Sequence, residues 1–485
     1  MTTDFSYAQV SAACGRPIGY VNTASTLISG SDRFVLPAYE CMVVRGTFTG
    51  TDLYCAYFTG GNNNPYYVSI DGGAETNPTA AATPGRGRLT LATGLSDTTH
   101  TFNLRFNRAY NNNVGMPYLG FLSVISAAGT PALGVFPGDG PYCEFGTNIA
   151  GVYDAPTYMA DNYMGTYTQN AAFSVNPPAW RATAQPSFAF YAKTASLTAW
   201  THNNIVDATY FETIRLEVDG VLYPPPTPDG VLHERWFPLA SNLDPSIDHL
   251  FVVTLGKYDT NFTHGHRFML SSGGTFSARA ANMKVAIISG TSITQGTNEA
   301  SFNDSCVGSY QFLMFQRLRG KGIAELTFNA GAAGQTAVGA DGASHTQWTT
   351  DFGGMPSGKV ARVTIEYGAN DTPGTAFRAS LSSIVAQARA AYPGVPIDVH
   401  EMLPRVGWDY TAINADIAAA AASVSPPANV LRMSALPVCG HYAGTSIHPD
   451  AQGTAQAAML AADLQYAIRF PPTPPARKTR FRIGA

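Results

Sequence analysis

The amino-acid sequence changes character near residue 282, and this change limits what the chain can fold into. Before that point, runs rich in Val, Thr, Tyr and Phe, such as VRGTFTG, TFNLRF, FAFYAK and HLFVVTLG, are separated by Gly, Asn and Pro. Such residues favour β-strands joined by turns. Beyond it, short apolar strands alternate with Ala-rich helical stretches, which is typical of βαβ units in a parallel sheet. The sequence therefore predicts an all-β region followed by an α/β domain.

The individual strands and helices of the α/β domain can be predicted from the sequence. The predicted strands are MKVAIIS, AELTF, ARVTIEYG and PIDVHEM. The predicted helices are FLMFQRLRG, FRASLSSIVAQARAAY, INADIAAAAASV and GTAQAAMLAADLQYAI.

The β-rich region repeats internally. Asp71-Gly72 and Asp219-Gly220 each close a strand and lie 148 residues apart. In both places a Leu-Ala pair follows 20 residues after the aspartate, then a leucine, then a histidine that opens the next strand. These landmarks are Leu91-Ala92, Leu95 and His100 in the first copy, and Leu239-Ala240, Leu243 and His249 in the second. The pattern favours two tandem jelly-roll-like β-sandwiches over chance similarity between generic strands.

The predicted boundaries follow from the repeat and the change of character. We expect the first sandwich over residues 1–150, the second over 151–282, the α/β domain over 283–470 and a basic, Pro-rich tail over 471–485.

Composition excludes several classes of protein. With 45% hydrophobic residues, the chain is too apolar to be disordered. Its 29 basic and 33 acidic residues leave a net charge of −4, so no global basic field predicts nucleic-acid binding. No apolar run reaches the ~18 residues that span a bilayer. The N-terminal MTTDFSYAQVSAACG lacks a basic and apolar leader, so we expect no secretory signal. The six cysteines are scattered without a CxxC pair, which favours free thiols over disulfides.

Four polar blocks in the α/β domain follow predicted strands or precede the last helix. Ligands bind at the carboxyl ends of parallel strands, so these blocks are expected to meet at one sheet edge. Together they supply a hydroxyl nucleophile, oxyanion donors and an imidazole base. The blocks are Gly290-Thr291-Ser292, the stretch from Asn329 to Thr336 containing Gly331 and Gly334, Gly368-Ala369-Asn370-Asp371, and Ser446-Ile447-His448-Pro449.

The four blocks resemble those of the SGNH (GDSL-type) hydrolases, which carry Ser, Gly, Asn and His in this order. The resemblance covers roughly residues 283–470 and implies a flavodoxin-like three-layer fold that cleaves esters, often acetyl esters on sugars. It assigns Ser292 as the nucleophile and His448 as the general base. The N–H groups of Ser292 and Gly334 and the side chain of Asn370 would form the oxyanion hole. The implied chemistry requires no metal and no organic cofactor.

Two positions depart from the family pattern. Thr291 stands where the family usually has the Asp of G-D-S, and we expect it to support the loop. Thr445 stands where an Asp usually precedes the catalytic histidine by three residues. A carboxylate there orients the imidazole, so the Thr445 hydroxyl or a backbone carbonyl is expected to orient His448 instead.

A β-sandwich followed by an SGNH domain is similar to the second carbohydrate-esterase family, which pairs one jelly roll with an SGNH domain. The resemblance implies an acylated polysaccharide or oligosaccharide as substrate, with the extra sandwich serving as a glycan-binding or attachment module. Trp408, in the loop PRVGWDY, either flanks the sugar or packs against the fold. His264 and His266 are interpreted as packing or solvent-facing residues, because two imidazoles alone make a poor metal site.

Two alternatives remain beside this interpretation. A chain without an export signal, with two sandwiches and an esterase fold, would also suit a phage virion component that binds host glycan, with a weak or inactive SGNH fold. An intracellular (cytoplasmic) esterase acting on small acyl esters is another, and deletion of residues 1–282 would then leave activity unchanged. The tail PPTPPARKTRFRIGA is either a solvated tail or a docking peptide for an acidic partner. Homo-oligomerisation is compatible with all of them.

Overall fold

The computed structural model describes residues 1–14, 18–19, 34–35, 41–59, 66–78, 85–107, 118–144, 185–203, 215–224, 234–254, 262–263, 267–279, 281–296, 309–331, 334–346, 357–436 and 448–471. No helix within these ranges has the length and apolar character needed to cross a membrane.

The first β region consists of two antiparallel sheets that share one hydrophobic core. One sheet has the order β1-β9-β5-β7 with β3 also on β9, and the other has the order β10-β4-β8-β6 with β2 on β4. Buried and partly exposed residues alternate along β4 and β8, as expected for strands with one face in a core. The elements are β1 (Thr2–Ser6), α1 (Tyr7–Cys14), β2 (Ile18–Gly19), β3 (Phe34–Val35), β4 (Cys41–Gly50), β5 (Asp52–Thr59), β6 (Tyr66–Ile70), β7 (Gly85–Ala92), β8 (Thr98–Asn107), β9 (Tyr118–Ile125) and β10 (Ala132–Gly134).

The second β region repeats this arrangement. Its sheets have the orders β11-β19-β13-β16 and β15-β14-β17-β12, with β18 on β13 and β20 on β12. Matching β11 to β1, β12 to β4, β13 to β5, β14 to β6, β16 to β7, β17 to β8, β19 to β9 and β20 to β10 reproduces both strand orders. The elements are β11 (Asp139–Glu144), β12 (Gln185–Lys193), β13 (Leu197–Asn203), β14 (Arg215–Val218), β15 (Val221–Leu222), β16 (Glu234–Ala240), β17 (His249–Thr254), β18 (Phe262–Thr263), β19 (Arg267–Ser271) and β20 (Thr275–Phe276).

The repeated strand order bears on the predicted boundary at residue 150. β11 occupies in the second region the position that β1 has in the first, and it pairs with β19. Arg45 of the first region binds Asp139 of β11 through Nε at 2.8 Å, which joins the two regions. This pairing favours a boundary before Asp139. The jelly-roll label for either region stays a prediction.

The α/β region is a three-layer fold around five parallel strands in the order β22-β21-β23-β24-β25. Helices α3 and α7 pack on one face, and α4, α5 and α6 pack on the other. Short 3₁₀ turns lie at Ser357–Lys359 and Met433–Ala435. The elements are β21 (Lys284–Gly290), α2 (Ser292–Gln295), α3 (Tyr310–Gly320), β22 (Glu325–Asn329), α4 (Ala337–Thr346), β23 (Val360–Glu366), α5 (Thr375–Ala391), β24 (Ile397–His400), α6 (Thr411–Ala422), β25 (Asn429–Leu431) and α7 (Ala451–Arg469).

The second sandwich and the α/β region share a continuous sheet. β12 pairs antiparallel with β22 through Gln185 opposite Asn329 and Pro186 opposite Phe328. The neighbouring Ser187 hydroxyl lies 2.7 Å from the Thr327 hydroxyl. The carboxyl end of the edge strand β22 is therefore paired with a sandwich strand, and the full sheet has ten strands.

Candidate active site

The turn after β21 presents Ser292 at the carboxyl edge of the sheet. β21 ends at Gly290, Thr291 caps α2, and Ser292 is the first residue of that helix. The backbone passes close to β23 here: a Cβ on Gly290 would lie 2.5 Å from the carbonyl oxygen of Glu366. Ser292 is only 3% exposed. Its hydroxyl is thus held at the sheet edge by a turn that tolerates glycine alone at its start.

His448 reaches the Ser292 hydroxyl from the last block of the sequence. Nε2 of His448 lies 2.8 Å from Oγ of Ser292. The chain then passes through Pro449 to Asp450, whose carboxylate caps α7 by accepting from the N–H of Gly453 at 2.7 Å. The capped start of α7 therefore positions the His448 imidazole. The contact joins residues that are 156 positions apart in the sequence.

The predicted oxyanion donors lie on the loops that follow the two strands flanking β21. Gly334, after β22, has a φ of +71°, a conformation that glycine adopts without strain. Asn370, after β23, donates one Nδ2 hydrogen to the carbonyl of Gln335 at 3.0 Å, and an amide nitrogen carries a second hydrogen. The N–H of Ser292 belongs to the first turn of α2, where backbone donors have no intrahelical acceptor. The three groups follow neighbouring parallel strands and so lie at the same end of the sheet.

Asp371 joins the second and third blocks. Its carboxylate accepts from the backbone N–H of Ala337 at 2.8 Å, at the start of α4. Burial raises the pKa of Asp371, and hydrogen bonds from backbone N–H groups counteract part of that rise. The loops carrying Gly334 and Asn370 are thereby tied together.

Glu366 is the main feature of the site that the sequence analysis did not single out. This buried residue ends β23, and its Oε2 accepts from the Thr291 hydroxyl at 3.0 Å and the Thr294 hydroxyl at 2.6 Å. Burial raises its pKa to about 7, against the lowering effect of the two threonine hydroxyls. The available signal was a charged residue inside the otherwise apolar strand ARVTIEYG.

Asn329 also contributes more than its motif suggested. Its Nδ2 donates to the carbonyl of Thr294 at 2.7 Å, and its Oδ1 accepts from the N–H of Gly331 at 2.9 Å. It thus fastens the loop after β22 to the back of the nucleophile turn.

The structure describes Trp408 but not the other candidate site residues that the sequence analysis considered outside the four blocks. Trp408 is 50% exposed and stacks on Tyr410 with ring centroids 5.9 Å apart, so it is not a core residue. Thr445, the histidine pair His264 and His266, and the tail after residue 471 lie outside the described residues. Within the described residues, no group of three or more His, Cys, Asp or Glu side chains is placed to hold a metal ion.

Comparison with known families identifies the C-terminal region. Residues 288–456 match the model of the GDSL-like lipase/acylhydrolase family. The C-terminal part of the chain therefore carries a GDSL-like lipase/acylhydrolase domain, and the predicted resemblance is confirmed. No curated protein matches the chain.

Among solved structures, the chain is similar to the salicylyl-acyltransferase SsfX3 from a tetracycline biosynthetic pathway, with 15% identity and a TM-score of 0.44 over 63% of this chain and 90% of that one. It is similar to a carbohydrate esterase family 2 enzyme plus carbohydrate-binding domain from Corynascus thermopiles (Myceliophthora fergusii), with 18% identity and a TM-score of 0.40 over 61% and 98%. It is also similar to a family two carbohydrate esterase from Clostridium thermocellum in complex with cellohexaose, with 12% identity and a TM-score of 0.33 over 90% and 96%.

Proposed function

We propose that the protein is a serine esterase that removes acyl groups, chiefly acetyl groups, from carbohydrate. The observation that carries the proposal is the 2.8 Å contact between His448 Nε2 and Ser292 Oγ. A serine hydroxyl needs an adjacent base to become a nucleophile at neutral pH, and this contact supplies one. The GDSL-like family match over residues 288–456 supports the same reaction class.

The reaction would run in two acyl-transfer steps. His448 takes the hydroxyl proton as Ser292 Oγ attacks the ester carbonyl carbon, and the resulting oxyanion accepts from the N–H groups of Ser292 and Gly334 and from the Asn370 amide. The C–O bond to the sugar then breaks, and His448 returns the proton to the departing alcohol oxygen. A water molecule, deprotonated by His448, attacks the acyl-enzyme and releases the acid and Ser292.

Carbohydrate is proposed as the alcohol part for two reasons. The sequence resembles the pairing of jelly roll and SGNH domain in the second carbohydrate-esterase family. In addition, the half-exposed Trp408 and the Tyr410 ring behind it line a cleft at the same sheet edge. Ligand sites of this kind combine aromatic walls with a few polar groups.

The proposal is tested by acetate release from an aryl acetate and from acetylated polysaccharides. We expect release by the wild-type protein and its loss in Ser292→Ala, with both proteins equally folded by circular dichroism. A folded wild-type protein that releases no acetate from any of these substrates would contradict the proposal.

The sequence also predicts a virion-associated or otherwise extracellular site of action, with a cytoplasmic site as the alternative. A protein partner for the C-terminal tail and homo-oligomerisation are further predictions from the sequence.

A further inference from the structure

A cleft of about 460 Å³ opens beside the candidate active site, at the ends of β24 and β25. Its walls include Arg405, Trp408 and Tyr410 from the loop after β24, and Arg432 and Ser434 from the segment after β25. We call it the Arg405 cleft. β24 stands two positions from β21 in the sheet. With strands ~4.8 Å apart, the end of β24 lies on the order of 10 Å from the end of β21, which carries the turn to Ser292.

The Arg405 cleft contains a buried cation whose hydrogen-bonding capacity is incomplete. Arg405 is 5% exposed, and its Nη1 is buried without a hydrogen-bond partner among the residues that the structure describes. The guanidinium carbon stands 4.5 Å from the centre of the Trp408 ring. A buried cationic N–H without an acceptor is unfavourable, so an acceptor entering the Arg405 cleft would complete the hydrogen bonding of this side chain.

The acidic residues of the Arg405 cleft are engaged elsewhere. The buried Glu401 accepts from the N–H of Ser434 at 3.2 Å and from the Ser434 hydroxyl, and it faces Arg432 at 3.9 Å. The carboxylate of Asp409 accepts from the N–H of Thr411 at 2.9 Å. Across the described part of the chain, no carboxylate lies within 4.0 Å of the Arg405 guanidinium. No carboxylate of the described residues therefore neutralises Arg405, and a carboxylate brought by a ligand would fit this position.

The aromatic residues identify the kind of molecule that would carry this anion. Trp408 is half exposed, with the Arg405 guanidinium over its ring and the Tyr410 ring stacked 5.9 Å away. The exposed part of this indole suits the apolar part of a sugar ring, while a guanidinium fork matches a planar carboxylate. Burial raises the pKa of Tyr410, and the neighbouring Arg405 charge opposes that rise. Tyr410 thus stands next to Arg405 in the cleft.

We propose that the Arg405 cleft is a subsite for a uronic acid residue of the acylated glycan, with Arg405 binding its carboxylate and the exposed part of Trp408 packing against its ring. Arg432, with 75% of its side chain exposed, stands at the rim as a second cation. The inference rests on the proposed function and narrows it: the substrate class becomes acetylated acidic polysaccharide.

The first test compares acetylated polygalacturonate with its carboxyl-reduced derivative of equal acetyl content. We expect wild-type kcat/KM to be at least tenfold higher on the acidic polymer, and Arg405→Gln to bring the ratio close to one. Arg88→Gln is the matched control, because the exposed Arg88 also lies over an aromatic ring, that of Tyr54 at 4.0 Å, in the first sandwich. A wild-type ratio near one, or an unchanged ratio in Arg405→Gln, would overturn the subsite.

The second test does not depend on catalysis. Calorimetric titration of Ser292→Ala with trigalacturonate should show binding that the neutral maltotriose lacks, and the added change Arg405→Gln should weaken it tenfold to a hundredfold. Equal binding of both trisaccharides would overturn the subsite even if acetate release is normal. Conversely, absent acetate release from an aryl acetate, together with selective trigalacturonate binding, would overturn the proposed function and leave the subsite intact.

Discussion

At the scale of single residues, the nucleophile turn takes its carboxyl group from a neighbouring strand. Thr291 replaces the usual aspartate of the turn, and its hydroxyl donates to Glu366 at the end of β23. Thr294, one turn further, donates to the same oxygen. Ser292 lies between these two anchors, so Glu366 acts as a positioning residue for the serine.

Glu366→Gln should alter how stability depends on pH. Burial raises the pKa of Glu366 from 4.5 to about 7, so the folded protein retains a proton that the unfolded chain has lost. Stability therefore decreases as the pH rises from 4.5 to 7, with a contribution of up to ~1.4 kcal/mol per pH unit from this group. We expect the variant to lack that contribution, as measured by urea unfolding from pH 4.5 to 8. The exposed Glu75→Gln is the control, and an identical pH slope in wild type and Glu366→Gln would contradict this account.

Asn370→Ala should slow chemistry rather than weaken substrate binding. Removing one donor to a developing oxyanion typically costs ~10²–10³ in kcat, and we expect KM on an aryl acetate to change less than threefold. Asn370→Asp keeps the shape but loses the donor, and should be similarly slow. Because the amide also donates to Gln335, thermal unfolding must accompany the kinetics. A raised KM with unchanged kcat would show that Asn370 binds substrate without serving the oxyanion.

At the scale of elements, both sandwiches use the same Asp–His clasp between a turn and the strand beside it. Asp71 adopts a φ of +51° and binds Nδ1 of His100 at 2.6 Å, while Nε2 of His100 lies 2.9 Å from the Ser96 carbonyl. Asp219 and His249 repeat the arrangement at 2.7 Å. With an acceptor at each ring nitrogen, the charged imidazole satisfies both contacts.

The clasp should stabilise the first sandwich below neutral pH. Burial lowers the pKa of His100, but the hydrogen bonds to Asp71 and to Ser96 outweigh burial, and the net pKa is raised above 6.5. A raised folded-state pKa gives stability that is fully present below pH 6.5 and is lost as the pH rises through the raised value. Because Asp71 is half exposed, we expect Asp71→Asn to cost only ~1 kcal/mol at pH 5.5.

Hydrogen exchange of the amides in β6 and β8 measures this cost locally. The difference between wild type and Asp71→Asn should shrink at pH 8.5, after exchange rates are corrected for pH. Asp219→Asn should leave β6 and β8 unchanged and serves as the control. A difference that grows with pH would contradict the clasp.

At the scale of the whole molecule, the second sandwich and the α/β region are joined by a shared sheet and by a buried ion pair. β12 pairs with the end of the edge strand β22, and Arg319 of α3, whose side chain is 5% exposed, forms an ion pair with the buried Glu217 of β14, with Nε 3.0 Å from Oε2. Nη1 of Arg319 also donates to the carbonyl of Glu325 at 2.8 Å. Without the sandwich, β22 would expose an unpaired edge and Arg319 would lose its partner.

Deleting residues 1–282 should therefore abolish soluble, active protein, against the expectation for an intracellular esterase with dispensable sandwiches. An exposed strand edge promotes aggregation, and an unpaired buried charge costs ~3–5 kcal/mol. Deleting only residues 1–134 keeps β11 to β20 and should be tolerated better. Size-exclusion chromatography and aryl acetate hydrolysis compare the two truncations. Full activity after the larger deletion would show that the shared sheet is dispensable.

Sequence reasoning succeeded where signals are local and failed where they are distant. The four predicted strands of the α/β region and its Ala-rich helices appear as β21 to β24 and α3, α5, α6 and α7, because periodicity and turn residues specify them. The sequence analysis missed helix α4, AVGADGASHT, because its glycines weaken the helical pattern. It missed β25 because three residues are too few to show the alternation of a strand. The junction of β12 with β22 is a pairing between distant segments that no local pattern encodes.

The same holds for the site. Ser292 and His448 were predicted from their blocks and lie in contact, whereas the role of Glu366 depends on which strand neighbours β21. The Arg405 cleft depends on how two loops meet above β24 and β25, so its buried charge was not visible in the sequence.

The most direct test of the central claim is to label the protein with a fluorophosphonate and locate the adduct by mass spectrometry. The account predicts a single adduct on Ser292, absent in Ser292→Ala and formed at least ~10²-fold more slowly in His448→Ala, since the imidazole is the base. A folded wild-type protein that stays unlabelled, or that carries the adduct on another residue, would contradict it.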